Sequence, residues 1–148
     1  MIIDFHFKEI GMKLPHRETL GKFLLYLFKK EKTMVTSLSY VFCSDEYLLS
    51  LNNRFLKHDE YTDIITFNLA LPTYPIDGDI YISIERAREN ARSFKVPVSQ
   101  EVRRLIFHGA LHLCGYEDKE PGDKRLMTQK ENFYLVKYET FHVKHNIK

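Results

Sequence analysis

The chain contains little glycine, proline or cysteine, and it has no long apolar run. Its 148 residues include 6 Gly, 5 Pro and 2 Cys, and 44% of them are hydrophobic. This composition argues against disorder, and a chain of this length can bury enough surface to form a packed core. The longest apolar run, LLYLF at residues 24–28, is far shorter than the roughly 20 residues that a membrane helix needs.

Targeting and redox features are equally sparse. The N-terminal sequence MIIDFHFKEI has neither the basic region nor the apolar region of a signal peptide, so we expect a cytoplasmic protein. Cys43 and Cys114 form no Cys-x-x-Cys pair, and we expect them to be buried free thiols. The formal net charge of +2 neither requires nor excludes an anionic partner.

Four segments have the patterns of β-strands. IIDFHF alternates apolar and polar residues, and VTSLSYVFC is rich in β-branched and aromatic residues. DIITFNLA and DIYIS follow, separated by a turn-rich loop that contains Pro72, Pro75 and Gly78. The predicted strands are residues 2–7, 35–43, 63–70 and 79–83.

Helical periodicity fills the segments between and after the strands. The first helix is predicted from one apolar face, formed by Leu20, Phe23, Leu24, Leu27 and Phe28. The second, capped by Ser44 or Asp45, is expected to bury three residues, Leu48, Leu51 and Phe55.

Three further helices are expected in the second half of the chain. One covers residues 84–94, and after a break at Pro97 another is capped by Ser99 and ends near Cys114. The last begins at Pro121 and is followed by a frayed tail, HVKHNIK. Its predicted apolar residues are Leu126, Met127, Phe133 and Leu135. We therefore predict a single α+β domain over residues 1–148, with about four strands in one mixed sheet flanked by helices.

The segment HGALHLCGYED, residues 108–118, has the spacing of a metal site. His108 and His112 lie four residues apart on one helical face, with Cβ atoms about 6 Å apart. Gly115 can end the helix in a left-handed conformation and turn the chain back, which brings Asp118 to the same ion. Three protein ligands on a zincin-like helix would leave an open coordination position, as in catalytic zinc sites.

The alternative is that His108 and His112 are half-buried polar residues and that Asp118 is a solvated carboxylate. The placed glycine, the third ligand and the apolar helix favour the metal site. Cys114 lies about 200° around the helix from His112, which makes it a core residue rather than a ligand of the same ion.

Three blocks of the sequence resemble the YbeY family of metal-dependent endoribonucleases. HGALHLCGYED resembles the family signature HGxLHLxGYDH. LNNRFLKHDEYTDIITF, residues 51–67, is similar to LNxxYRxxDxPTDVLSF, and GDIYISIERAREN, residues 78–90, is similar to GDIxISxExAxxQA. The resemblance runs in matching order from about residue 45 to residue 127.

The resemblance implies a single-strand-specific endoribonuclease that acts in ribosomal RNA processing and ribosome quality control. Ribosomal RNA, and with it ribosomal proteins, are the implied partners. His108 and His112 match the first two zinc ligands of the family, and Asp118 stands where the family usually has a third histidine. A carboxylate is an ordinary zinc ligand, although it lowers the formal charge of the site and makes harder ions such as Mn²⁺ less implausible.

Leu56 is a sharper departure, because it aligns with a functional arginine of the family. Leucine cannot hold a phosphate, so Arg54, Lys57 or His58 is a candidate for the missing charge. We favour Arg54, since a guanidinium grips phosphate in a bidentate fork whereas an ammonium is a point charge.

Other residues that match the family, or that are charged or aromatic, are predicted to have structural roles or to contact RNA. Three of them match the TDVLS segment of the family and are expected to open a strand: Thr62, Asp63 and Thr66. Asp79 and Ser83 are expected to start a strand and cap a helix. The candidates for RNA contact are the cations Arg88, Arg92, Lys95, Arg103 and Arg104 and the aromatic residues Tyr61, Tyr74 and Tyr116. The cations equally fit a solvated helix face.

Two rival functions stay open. Metzincin peptidases share this ligand spacing, but they carry a general-base glutamate directly after the first histidine, where this chain has Gly109. A non-catalytic RNA-binding or ribosome-associated factor is the stronger rival, because Leu56 removes the arginine.

Overall fold

The protein has an α+β fold, and the computed structural model describes residues 1–57 and 61–146. The elements in chain order are β1 (Ile2–Phe7), α1 (Arg17–Lys30), β2 (Val35–Cys43), α2 (Asp45–Leu56), β3 (Ile64–Asn68), β4 (Ile76–Ser83), α3 (Ile84–Phe94), α4 (Val98–Leu113) and α5 (Pro121–Asn146). The predicted fold class is confirmed.

The four strands form one mixed sheet in the order β1-β2-β4-β3. β2 pairs in parallel with both β1 and β4, whereas β3 pairs antiparallel with β4. Tyr40 and Phe42 of β2 and Ile80 and Ile82 of β4 are fully buried. Because residues two apart in a strand share a face, these side chains form the surface on which the helices pack.

Helix α4 is held directly on that face of the sheet. The buried Tyr40 hydroxyl donates a hydrogen bond of 2.7 Å to the carbonyl oxygen of Ile106 in α4. Ile106 and Phe107 are themselves fully buried. The helix that carries the two motif histidines therefore has a fixed position relative to the strands.

The strand predictions were right for β1 and β2 and wrong at some ends of β3 and β4. The turn-rich loop was predicted to include Gly78, but Gly78 lies inside β4. A Cβ atom at this position would come within 2.7 Å of Leu113 Cδ1, so the glycine serves the close approach of α4 rather than a turn. Asp79 consequently pairs within the sheet instead of starting a strand.

The helix predictions need several corrections. Phe55 is 58% exposed, and Asn52 is buried on α2 in its place. Pro97, not Ser99, caps α4, because its carbonyl oxygen accepts the first helical hydrogen bonds from Gln100 and Glu101. Helix α5 continues to residue 146, beyond the start of the predicted frayed tail.

The buried face of α5 also differs from the prediction. Met127 is buried as expected, but Leu126 and Phe133 are 43% and 39% exposed, and Tyr134 and Tyr138 fill the core instead. The hydroxyl group of Tyr134 donates a hydrogen bond to Glu31, so this large aromatic side chain is buried while its polar end keeps a partner, as is common for tyrosine.

Both cysteines are free thiols, as predicted, but only one of them is fully buried. Cys43 is buried, and burial raises its pKa to about 12. Cys114 is half-buried and packs against the main core cluster. Across residues 1–57 and 61–146, none of the helices is both long and apolar enough to cross a lipid bilayer.

Candidate metal centre and surrounding cleft

His108, His112 and Asp118 lie together at the C-terminal end of α4. The Nε2 atoms of His108 and His112 are 3.1 Å and 3.3 Å from the same Asp118 oxygen, Oδ2. One potential ligand atom from each residue falls within 4.8 Å of the other two. The structure thus brings together the three residues that the motif predicts.

The turn after α4 explains how Asp118 reaches the histidines. Gly115 has a φ of 105°, a conformation that is strained for residues with a Cβ atom. Its amide donates to the His112 carbonyl oxygen, and the Tyr116 amide donates to the Leu111 carbonyl oxygen. This is the Schellman arrangement, which ends the helix and reverses the chain.

The Nδ1 atom of each histidine has a hydrogen-bond acceptor. His108 Nδ1 lies 2.5 Å from Glu131 Oε2, and His112 Nδ1 lies 2.8 Å from the Tyr116 carbonyl oxygen. A carboxylate and a carbonyl can only accept, so each Nδ1 carries the hydrogen and each Nε2 lone pair is left for a ligand. Two imidazole nitrogens and one carboxylate oxygen are a donor set that suits a divalent transition metal.

The pKa of His108 reflects both burial and charge. Burial disfavours the protonated ring and lowers the pKa, but the hydrogen bond to Glu131 and the negative charges of Glu131, Asp118 and Asp63 together outweigh it. The net result is a pKa raised above the ordinary value of 6.5. Without a metal ion, the site would hold a proton at His108 more readily than an exposed histidine does.

Glu131 was missed by the sequence analysis. It is 6% exposed and lies on α5, on the face that also carries the buried residues Met127, Tyr134 and Tyr138. A carboxylate on an otherwise apolar helical face was the signal that would have revealed it.

The three residues open into a cleft of about 1310 Å³. Its wall carries several acids, two cations among the described residues, and an apolar rim. The acids are Asp63, Glu101, Glu117, Asp118 and Glu131, the cations are Arg104 and Lys119, and the rim includes Leu56, Tyr61 and Phe94. Acidic side chains outnumber cations here, so an RNA backbone would be repelled unless positive charge is added.

Part of this acidic wall is internally connected. The Asn90 amide donates to Asp63 Oδ2 at 3.1 Å and to Glu101 Oε2 at 3.3 Å. Burial raises the pKa of Glu101 above its ordinary value, although the Asn90 hydrogen bond opposes the shift. Asp63 was predicted to open the strand, but it lies directly before β3 and lines the cleft.

Leu56 lies in the cleft wall. Of the residues proposed to replace the charge of the family's arginine, the two that the structure describes are not found there. Arg54 is exposed, its guanidinium lies 5.8 Å from the Phe55 ring centroid, and it is not among the described residues that line the cleft. Lys57 caps α2 and also lies outside that lining. His58 falls outside the described residues.

The predicted RNA-contacting cations fall into two groups. Arg103 pairs with Glu139 at 3.3 Å, and Arg104 pairs with Glu131 at 2.7 Å. The other three, Arg88, Arg92 and Lys95, are exposed on or just after α3 and do not line the cleft.

The three candidate aromatic residues also differ. Tyr61 is 47% exposed at the cleft, and Tyr74 is exposed elsewhere. The half-buried Tyr116 donates to Glu31 at 2.6 Å. Tyr116 therefore supports the loop that carries Asp118 rather than offering an open stacking surface.

Gly109 argues against a peptidase site. A Cβ atom at Gly109 would lie 2.8 Å from Ile80 Cγ2 and 3.1 Å from Ile64 Cδ1. Position 109 faces the sheet, and a glutamate there would collide with two strands instead of reaching a water molecule near the histidines.

Comparison with known proteins gives consistent matches over almost the whole chain. The family model described as endoribonuclease YbeY matches residues 3–139. An endoribonuclease YbeY of Flavobacterium psychrophilum is 42% identical over 145 residues, which cover 98% of this chain and 100% of the relative. One from Cytophaga hutchinsonii is 46% identical, with coverages of 88% and 92%. The solution structure of a Thermotoga maritima protein aligns with a TM-score of 0.62 and 25% identity, over 99% of this chain and 94% of that one.

Proposed function

The chain belongs to the YbeY family of endoribonucleases, and on that premise we propose that it is a metal-dependent, single-strand-specific endoribonuclease acting in ribosomal RNA processing and ribosome quality control. The observation that carries the proposal is the convergence of His108 Nε2, His112 Nε2 and Asp118 Oδ2 at the cleft. These three residues are the proposed metal ligands, and Zn²⁺ is the proposed ion.

The donor set supports zinc, because zinc accepts nitrogen and carboxylate ligands in a four-coordinate site with one open position. A divalent ion held there would polarise a phosphodiester oxygen and lower the pKa of a water molecule. A bound cation would also offset the negative charge of the surrounding acids, since Asp63, Glu101 and Glu117 line the same cleft as the ligands.

The chain's own residues prepare this site before any substrate arrives. Glu131 and the Tyr116 carbonyl hold the Nδ1 hydrogens of the two histidines, which orients both Nε2 atoms toward Asp118. The Gly115 turn fixes the loop that bears Asp118. Groups that are positioned in advance need no reorganisation during the reaction, which is the main source of electrostatic catalysis.

A second cation is needed against the phosphate, because Leu56 cannot supply one. Arg54 is the candidate from sequence, and Lys119 is the candidate from the cleft. Lys119 follows Asp118 directly, is exposed, and lines the cleft, whereas Arg104 is engaged by Glu131 at 2.7 Å. These positions favour Lys119 as the phosphate contact.

The wider assignment follows from the same premise. We assign residues 1–148 to a single catalytic domain, with ribosomal RNA as substrate and ribosomal proteins as neighbours during processing. A role in ribosomal RNA processing would place the protein in the cytoplasm.

The test is cleavage of a fluorescently labelled RNA that contains one single-stranded and one duplex segment. We expect the wild type to cut the single-stranded segment, with loss of cleavage on addition of a chelator and in the His112→Ala variant. Removal of one transition-state contact typically costs roughly 10²–10³ in rate. RNA binding by a wild type that cuts no faster than His112→Ala would instead establish a non-catalytic RNA-binding factor.

A further inference from the structure

Glu131 is a buried carboxylate with two polar partners, and it is not one of the proposed metal ligands. Its side chain is 8% exposed, and it lies on α5, 23 positions after His108 in the sequence. Burying a carboxylate is costly unless it is paired and hydrogen-bonded. The contacts of Glu131 therefore indicate what its carboxylate does.

One Glu131 oxygen is committed to His108. Oε2 lies 2.5 Å from His108 Nδ1, and the His108 side chain is 15% exposed. Because an ionised carboxylate accepts but cannot donate, the imidazole hydrogen must sit on Nδ1. The Nε2 lone pair then faces Asp118 Oδ2, 3.1 Å away.

The other Glu131 oxygen is committed to Arg104. Oε1 accepts a hydrogen bond of 2.7 Å from Arg104 Nη1, and Arg104 Nη2 donates to Asn132 Oδ1, also at 2.7 Å. Arg104 lies on α4, one turn before His108, so the arginine ties Glu131 to the helix that carries the histidine. The guanidinium compensates the buried negative charge and fixes the carboxylate plane.

The two histidines are supported unequally. His112 Nδ1 donates to a neutral backbone carbonyl, that of Tyr116. His108 Nδ1 donates to a carboxylate, which orients the ring and also makes Nε2 a stronger electron donor. His108 should therefore be the more firmly held of the two.

We propose that Glu131, held by Arg104, is a positioning residue that fixes the tautomer and ring orientation of His108 and thereby strengthens the binding of a divalent ion. This inference rests on the proposed metal centre. It gives α5 a functional role in addition to its packing role, since a residue of the last helix completes a site whose ligands all lie on α4 and the following loop.

The first measurement is the dissociation constant for Zn²⁺, obtained by competition with a chromophoric chelator. We expect Glu131→Ala to bind roughly 10–100-fold more weakly than the wild type, the range that loss of a partner to a ligating histidine typically costs. Glu131→Gln keeps a carbonyl acceptor but loses the charge, so we expect a smaller loss. The matched control is Glu139→Gln, which alters another α5 glutamate that pairs with an α4 arginine, Arg103, at 3.3 Å.

The second measurement is the tautomer of His108 in the metal-free protein, read from its ¹⁵N chemical shifts well above the histidine pKa. We expect the Nδ1-protonated form in the wild type and in Glu139→Gln, and a mixture of tautomers in Glu131→Ala. Loss of packing alone would lower stability without redistributing this hydrogen. If Glu131→Ala does not fold, Glu131→Gln provides the affinity readout, and the wild-type spectrum provides the tautomer.

Several outcomes would overturn the inference. It fails if folded Glu131→Ala binds Zn²⁺ as tightly as the wild type, if Glu139→Gln weakens binding to the same extent, or if wild-type His108 carries its hydrogen on Nε2. A wild type that binds no metal while His108 is Nδ1-protonated would refute the metal centre but keep the orienting contact.

Discussion

Gly109 lies so close to Ile80 that a Cβ atom at position 109 would come within 2.8 Å of Ile80 Cγ2. The same atom would meet Ile64 at 3.1 Å. Helix α4 therefore sits on β3 and β4 with no room for a side chain at this residue. The histidine immediately before it, His108, has a side chain that is only 15% exposed.

This contact predicts a loss of stability in Gly109→Ala. Adding a methyl group to a close-packed interface typically costs about 1–3 kcal/mol, because neighbouring side chains or backbone must shift. We expect the free energy of unfolding, measured with urea, to fall by that amount less the roughly 0.5–1 kcal/mol that alanine gains over glycine in a helix interior.

Gly21→Ala is the matched control for Gly109→Ala, since it also lies inside a helix, α1. A Cβ atom at Gly21 meets nothing within 4 Å, and alanine in a helix interior is typically favoured over glycine by about 0.5–1 kcal/mol. We expect Gly21→Ala to raise stability. Equal destabilisation by both variants would show that the α4 contact is not the cause.

The hydrogen bonds of the Glu31 carboxylate predict that the stability of the protein depends on pH. Burial raises the pKa of its carboxyl, but hydrogen bonds from Tyr116, Tyr134 and Lys130 outweigh burial and lower the pKa below 4.5. A depressed pKa in the folded state stabilises the protein above pH 4.5 and ceases to do so as the pH falls through the folded-state pKa. The wild type should exceed Glu31→Gln by roughly 1–3 kcal/mol at neutral pH.

The measurement is urea unfolding of both proteins between neutral pH and pH 3. The difference between them should shrink once the pH falls below 4.5. The exposed Glu139, whose side chain is 63% accessible, provides a comparison in Glu139→Gln, which we expect to change stability little. A gap between wild type and Glu31→Gln that stays constant over this range would argue against an ionised Glu31 in the folded protein.

The proposed phosphate contact predicts different losses of RNA cleavage in Lys119→Ala and Arg54→Ala. Lys119 lines the cleft whereas Arg54 does not, so we expect Lys119→Ala to lower kcat/KM for RNA by roughly 10–10³ and Arg54→Ala to change it little. Steady-state cleavage of the labelled RNA measures both. A large loss in Arg54→Ala alone would restore the candidate that the sequence favoured.

The convergence of the three proposed ligands was predictable from sequence because their geometry is local. His108 and His112 lie one helical turn apart, and the Gly115 turn that follows is set by neighbouring residues. The sequence marks Glu131 as unusual on its helical face but does not predict its contact with His108, since that contact depends on how α4 and α5 pack across 23 positions of sequence. The predicted burial of Phe55 was wrong for a related reason. Its helical spacing fits a buried face, but the other described residues leave it 58% exposed.

The ends of helices and strands were also predicted correctly in some places and incorrectly in others. Ser83 was predicted to cap α3, and its hydroxyl accepts the Arg86 amide as expected. The start of α4 was misplaced because Pro97, whose φ of −61° and ψ of 145° suit a capping position, competes with the nearby Ser99. The sequence pattern predicts Gly78 as a turn residue, whereas the structure requires glycine there because Leu113 approaches so closely.

The most direct test of the metal centre is the Zn²⁺ content of the wild type, His112→Ala, Asp118→Ala and Asp118→His after equilibrium dialysis against the ion. The wild type should retain about one ion per chain, and each alanine variant should retain far less. Asp118→His keeps a third ligand and should retain the ion. Retention of equal zinc by the wild type, His112→Ala and Asp118→Ala would contradict the assignment of these residues as the metal ligands.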